Sequence, residues 1–431
     1  MAVTADNSEM GRPTSWSGAL DRIIAGIDDE TPKLIVVAAG NTDIESNISY
    51  PENLIESSVQ DPGQSWNALT VGSYTQLTQI TDQTYKNYKP VAGVGELSPF
   101  STTSRSWDKK WPIKPDIVME GGNLAISEDK RPEECDDLSL VSTYFKPEKT
   151  LFWPFGMTSS SSALASHFAA QIQIEHPEYW PETIRALMVN SARWPDNLKN
   201  QFVNKENKTE FGKLLRTCGY GVPVLKDALY SSNNSLTLIS QAEIQPFEKK
   251  GSATKTKDLH LYELPWPKEI LYGLQNLDVE MKVTLSYFIE PGPGEIGWNN
   301  RYRYPSHQLR FDIKTPFESK DEFLKKVSKA QREEGEVIDS KSTTSEFWTL
   351  GIKNQNKGSL HSDIWKCTAA QLAECCYLAV FPVTGWWKER DYLGKANTKT
   401  RYSLVLTIKT PIQEIDIYTP IIQKIGITIP I

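Results

Sequence analysis

Apolar positions along this chain follow two different rhythms. Up to about residue 230, short continuous apolar runs alternate with patterns of helical period; later, apolar residues occupy every second position. Leu20, Ile23, Ile24 and Ile27 fall at i, i+3, i+4 and i+7. That spacing predicts a helix capped by Ser15 or Ser17 and broken by Pro32. The run over residues 34–40 predicts a buried strand ending at Asn41, and residues 68–72 and 115–119 predict two more. An Ala- and Ser-rich stretch from Ser159 to about Ile174 suits a helix packed tightly in the interior. Pro181 opens the next helix at a first-turn position, with Ile184, Leu187 and Met188 on one face. Strands alternating with helices imply an α/β fold built on a parallel sheet.

The second rhythm is clearest at Val279, Met281, Val283, Leu285, Tyr287 and Ile289, and again at Tyr402, Leu404, Leu406 and Ile408. Strict alternation predicts antiparallel strands with one buried face and one solvated face, hence a β-sandwich. The expected organisation is a first domain over residues 1–235 and a second over 236–431. A charged insertion near 318–346 interrupts the second, helical at first through Phe323, Leu324 and Val327.

Composition narrows the class. A chain of 431 residues with 39% apolar content can bury two cores. The net charge of −7 and the lack of a basic stripe argue against a nucleic-acid partner. Five scattered cysteines (Cys135, Cys218, Cys367, Cys375, Cys376) have no metal-ligand spacing and fit a reducing compartment. No cofactor or metal is expected. The first residues lack a basic and apolar leader, and no run approaches the ~20 apolar residues of a membrane span. The expectation is a cytoplasmic protein with no membrane contact.

Two places carry chemistry. Asn41 sits at the tip of a predicted strand, and Thr158, Ser159, Ser160, Ser161 and Ser162 open a predicted helix. An Asn amide and helix-start N–H groups can bind an oxyanion, and a serine hydroxyl can attack a carbonyl. The base that should activate the serine is missing. His167 lies eight residues along the same predicted helix, about 12 Å from Ser159. His176 is farther still; Lys114-Pro115-Asp116 before a strand reads as structural, as do His167 and the pair Trp386-Trp387.

Several segments recur in one order: Ala38-Ala39-Gly40-Asn41, Tyr50-Pro51, Ala68 to Ser73, Phe100-Ser101, Lys114-Pro115-Asp116 and Thr158-Ser159. The order resembles the later part of a subtilisin-like serine protease, a subtilase. Trp180-Pro181-Glu182, Gly219-Tyr220-Gly221, Glu263 to Pro267 and Gly385-Trp386-Trp387-Lys388 are similar to a bacterial intracellular branch. The resemblance implies Ser159 as nucleophile and Asn41 as oxyanion donor. It implies Ala38, Ala39 and Gly40 as a wall of the pocket for the residue before the scissile bond, and Met1 to Thr4 as the strand that a substrate peptide extends. In subtilisin itself such an Asn is worth roughly 3–4 kcal/mol in the transition state.

Departures accompany the likeness. Met157 stands where the family has Gly, and the family's Asp and His motifs precede the strand at which this sequence starts. The expected architecture is therefore a subtilase-type parallel sheet flanked by helices, truncated at its N-terminus, followed by an all-β sandwich. A sheet so truncated should keep an exposed edge and an open core, leaving the isolated chain marginally stable or prone to aggregate. The expected activity is serine-type endopeptidase chemistry on a peptide or protein substrate, inactive in this chain alone. A missing N-terminal half or another polypeptide would supply Asp and His, and an ATPase partner is a further expectation. The alternative is a non-catalytic peptide- or protein-binding module derived from a subtilase.

Overall fold

The structure, a computed structural model, describes residues 1–5, 9–230, 235–294, 303–332 and 346–410. These divide into two compact units: residues 1–179 with 191–228, and residues 180–190 with 229 onward.

The first unit is built on three parallel strands, β1 (Val36–Ala38), β2 (Leu69–Tyr74) and β3 (Ile117–Glu120), in that spatial order. Val37 pairs with Thr70 and Val71 with Ile117. The strands are short and apolar because they are covered on both faces. Val37, Leu69, Val71, Ile117 and Val118 are fully buried. Beyond β1, the terminal amine of Met1 donates to Val36 O at 2.6 Å, and the Ala38 amide donates to Met1 O at 3.0 Å.

Helix α1 (Ser15–Ile24) is capped differently from the sequence expectation. The cap is Thr14, whose hydroxyl accepts from the Ser17 amide while the Ser17 hydroxyl accepts from the Thr14 amide. This reciprocal pair satisfies two orphan donors of the first turn. The helix stops at Ile24, well short of Pro32, and Ile23 faces solvent. Gly26 ends it: its φ is +65°, and a Cβ there would lie 2.6 Å from the Thr31 carbonyl carbon. Helix α2 (Met157–Glu175) lies against all three strands. Its small residues permit that approach, with Ser161, Ser162, Ala165 and Ile172 buried. Lys114 and Asp116 form a buried pair at 2.7 Å that ties β3 to β2, Asp116 accepting from the Thr70 amide and Lys114 donating to Ala68 O. Their role is structural.

The second unit carries helix α3 (Pro181–Ser191), through residue 190, a two-stranded pair of Phe247–Lys250 with Ala253–Thr256, and two larger antiparallel sheets. The strands of the larger sheets are β4 (Ser235–Ile244), β5 (His260–Glu263), β6 (Asp278–Tyr287), β7 (Leu309–Ile313), β8 (Leu360–Thr368), β9 (Tyr377–Pro382) and β10 (Thr400–Lys409). One sheet has the order β8-β6-β10-β4, the other β5-β9-β7. Alternation in β6 predicted one solvated face; from Met281 onward both faces are buried. The reason is α3. Arg185 donates to the Ser286 hydroxyl (2.9 Å), Tyr287 O (2.7 Å) and Ser359 O (2.8 Å). Asn190 donates to the Thr284 hydroxyl at 3.1 Å, and Lys282 reaches Val189 O at 2.8 Å. A polar strand face is thus buried against a polar helix face, each group hydrogen-bonded.

Helix α4 (Lys320–Arg332) sets Phe323 and Val327 against Ala379, Phe381 and Val383; the later part of the charged insertion, residues 333–345, lies outside the described residues. Trp386 and Trp387 are core residues packed with Phe247, and their indole N–H groups donate to Glu290.

Candidate active site

The end of β1 delivers Gly40 and Asn41 to one side of the sheet. Gly40 has φ +92°, and a Cβ there would meet the Gln60 side chain at 2.3 Å. Only glycine lets the chain pass so close to Gln60, which in turn donates from Nε2 to Asn41 O at 3.2 Å. Asn41 also bridges Ser101, so its backbone is fixed from two sides.

The N-terminus of α2 meets this turn. The Met157 amide donates to Gly121 O at 2.7 Å. The Thr158 amide donates to Asn41 Oδ1 at 2.9 Å, and the Thr158 hydroxyl donates to the same oxygen at 2.8 Å. A backbone N–H can only donate, so its partner must be the amide oxygen and the Asn41 side-chain orientation is settled chemically. Nδ2 therefore points the other way, and among the described residues it has no acceptor. The Ser159 amide, one of the orphan donors of the first helical turn, likewise has no acceptor among them. Two N–H donors are thus held on the two residues that flank Thr158 in space, at the positive end of a helix dipole.

The hydroxyls of the serine run separate cleanly. Ser160 Oγ donates to Met157 O (2.8 Å), Ser161 Oγ to Glu120 O (3.0 Å) and Ser162 Oγ to Ser159 O (2.8 Å). All three are buried and spent on backbone carbonyls. Ser159 is half-buried, and its hydroxyl bonds to no described residue. Four serines that sequence leaves equivalent become one candidate.

Met157, two residues before Ser159, has φ +66°, the left-handed region that favours glycine. Ala38 and Ala39 are buried: the Ala39 amide donates to Val71 O, and its carbonyl accepts from the Gln60 amide and the Thr102 hydroxyl. Gly40 is buried as well. None of the three presents surface to solvent.

No described histidine bonds Ser159. His167 is exposed, further along α2. His176 stacks on Tyr179, His260 bonds the Tyr402 hydroxyl at 2.6 Å, and His361 bonds the Tyr287 hydroxyl at 3.1 Å. His307 is buried against Trp387. The residues that sequence reasoning missed are Thr158, as the group that orients Asn41, and Gln60, which braces the turn. Thr158 was readable as the neighbour of the candidate serine; nothing in the sequence marks Gln60.

The sequence model of the subtilase family, peptidase S8, matches residues 1–221, just over half of the chain. The chain belongs to the subtilase family. A curated relative, the uncharacterised protein y4bN of Sinorhizobium fredii, is 25% identical over 294 residues, 64% of this chain and 63% of that protein. Among solved structures, a protease of Pseudoalteromonas arctica matches at 16% identity, covering 53% of this subtilase and 49% of its own chain, with a TM-score of 0.32. MycP1 of Mycobacterium smegmatis matches at 20% identity over 49% and 44% of the two chains, TM-score 0.26. The epidermin leader peptide processing serine protease of Staphylococcus aureus matches at 18% over 49% and 43%, TM-score 0.28. This subtilase thus spans less than two thirds of y4bN and about half or less of each protease chain. Among its described residues no helix is long and apolar enough to cross a membrane.

Proposed function

We propose that this subtilase carries the nucleophile and oxyanion half of a serine endopeptidase site, cleaving peptide bonds through an acyl-enzyme on Ser159. The observation that carries this reading is the double hydrogen bond from Thr158 to Asn41 Oδ1, which turns Nδ2 away from Thr158, the residue next to Ser159 in the chain. Attack by Ser159 Oγ on a peptide carbonyl would place the developing oxyanion between Asn41 Nδ2 and the Ser159 amide, where preorganised donors act most strongly. Ala38, Ala39 and Gly40, buried and already hydrogen-bonded, would support the wall of the pocket from behind.

Deprotonation of Ser159 needs a general base, and none of the described histidines is bonded to it. The base and its orienting carboxylate are therefore proposed to come from other polypeptide, contiguous or separate, with an ATPase as a further partner. Five free cysteines, four of them buried, support a reducing cytoplasmic setting. The second reading, a binding module derived from a protease, is favoured by Met157, a side-chain-bearing residue in a left-handed backbone position two residues before the serine.

Fluorophosphonate labelling with peptide mapping tests the choice, in the purified chain and in its native cell extract. Label at Ser159 that vanishes in Ser159→Ala supports the protease reading, and label seen only in extract places the base on another polypeptide. No label at Ser159 in either, from a chain shown folded by circular dichroism, favours the binding module.

A further inference from the structure

Immediately before α2 the chain forms a two-stranded antiparallel arm, Leu140–Thr143 paired with Phe152–Phe155. In such a pair, opposed residues share a face and successive residues alternate. Ser142 and Trp153 therefore lie on one face with Leu140 and Phe155, while Val141 and Pro154 lie on the other with Thr143 and Phe152. Apolar side chains occupy both faces, and neither is covered. Val141 is 70% exposed, Phe152 61%, Trp153 54%, and at the tip Phe145 is 75% and Leu151 65% exposed. Tyr144 stacks on Trp153 with ring centroids 4.9 Å apart. Both outer edges of the arm are unpaired among the described residues.

An isolated hairpin of this size is marginal in water, and an apolar surface this continuous marks an interaction site. Two features name the occupant. The base of the arm is fixed at the candidate site, since Phe155 is four residues from Ser159 and Met157 is tied to Gly121 O at 2.7 Å. The tip carries exposed Lys146, Glu148 and Lys149, and charges of both signs resist insertion into hydrocarbon. An extended polypeptide added to a free edge satisfies the arm's backbone groups and lays alternate side chains against its aromatic faces. We propose that the arm captures extended apolar segments of unfolded polypeptide and leads them to Ser159, a substrate class that rests on the protease reading of that site.

The test is fluorescence anisotropy with labelled, reduced and carboxymethylated α-lactalbumin, which is permanently unfolded, against the native disulfide-bonded protein. The full chain and Ser159→Ala are expected to bind the unfolded form alike and the native form not at all. The double variant Phe152→Ser/Trp153→Ser, with an unchanged circular dichroism spectrum, is expected to bind about tenfold more weakly. Phe145→Ser, at the exposed tip, serves if the double variant does not fold, with a smaller loss in the same direction. Equal binding by the arm variants, or no binding by any form, overturns the proposal. So does sedimentation with phosphatidylglycerol vesicles that the arm variants lose. Because binding is read on Ser159→Ala as well, failure of Ser159 to react with an acylating probe overturns the nucleophile assignment and leaves the arm result standing.

Discussion

At Asn41 the orientation of one amide decides the chemistry. If Nδ2 faced Thr158, the site would offer a carbonyl oxygen to a developing oxyanion; the Thr158 N–H forbids that arrangement. Asn41→Ala in the assembled protease is therefore expected to lower kcat by about 10²–10³-fold with little change in KM, the loss known for this donor in subtilisin. Steady-state peptide hydrolysis measures it. Met157 makes an opposite prediction. A side chain in the left-handed region costs about 1–2 kcal/mol, and a glycine there gives back roughly 0.5–1 kcal/mol as chain entropy. Met157→Gly should thus raise stability by about 0.5–1 kcal/mol, read as a higher Tm. An unchanged or lower Tm would mean that the Met157 side chain makes compensating contacts.

At the scale of elements, the helix α3 over polar β6 is where pattern and structure part. Alternation in β6 fixed which residues share a face, and the strand is where the pattern placed it. It could not show that the polar face is also buried, because Lys282, Thr284 and Ser286 look like solvated positions until Arg185 and Asn190 are brought over them from a distant segment. Arg185→Met keeps length but removes every donor to Tyr287 O, Ser286 Oγ and Ser359 O, of which Ser359 O keeps the Tyr287 amide. It is expected to cost about 2–4 kcal/mol by denaturant unfolding. The site was legible to a different degree. Asn41 and Ser159 were identifiable by their places after a strand and before a helix, whereas the choice of Ser159 among four serines required the carbonyls that occupy the other three. The cap of α1 shows the same limit: Thr14 and Ser17 satisfy the capping pattern as a reciprocal pair, and nearby serines at Ser15 and Ser17 offered equally good letters.

At the scale of the whole molecule, the two units differ in what they hold. The first contains the subtilase sheet and the candidate site; the second contains a buried imidazole with consequences for acid stability. Burial pushes the His307 pKa down to about 3, and its Nε2 has no hydrogen-bond partner among the described residues. In the unfolded chain the same group titrates near 6.5. Between those values the unfolded state holds a proton that the folded state does not, so stability is full above about pH 6.5 and falls as pH drops toward about 3, by about 1.4 kcal/mol per pH unit for this one group. His307→Phe should flatten that part of the profile in urea titrations, and an unchanged slope would assign the acid sensitivity elsewhere. The central claim, that Ser159 and Asn41 form one acyl-transfer site, is read most directly by ¹¹B NMR with a phenylboronic acid at neutral pH, where the free acid stays trigonal, as the tetrahedral signal that the protein adds. Boron accepts the serine oxygen and becomes a tetrahedral anion that mimics the intermediate, so the nucleophile and its oxyanion donors are read with far less dependence on a protein base than hydrolysis has. The expected result is a tetrahedral signal that disappears in Ser159→Ala and weakens in Asn41→Ala. A folded chain that leaves the boron trigonal, or a tetrahedral signal that survives Ser159→Ala, would contradict it.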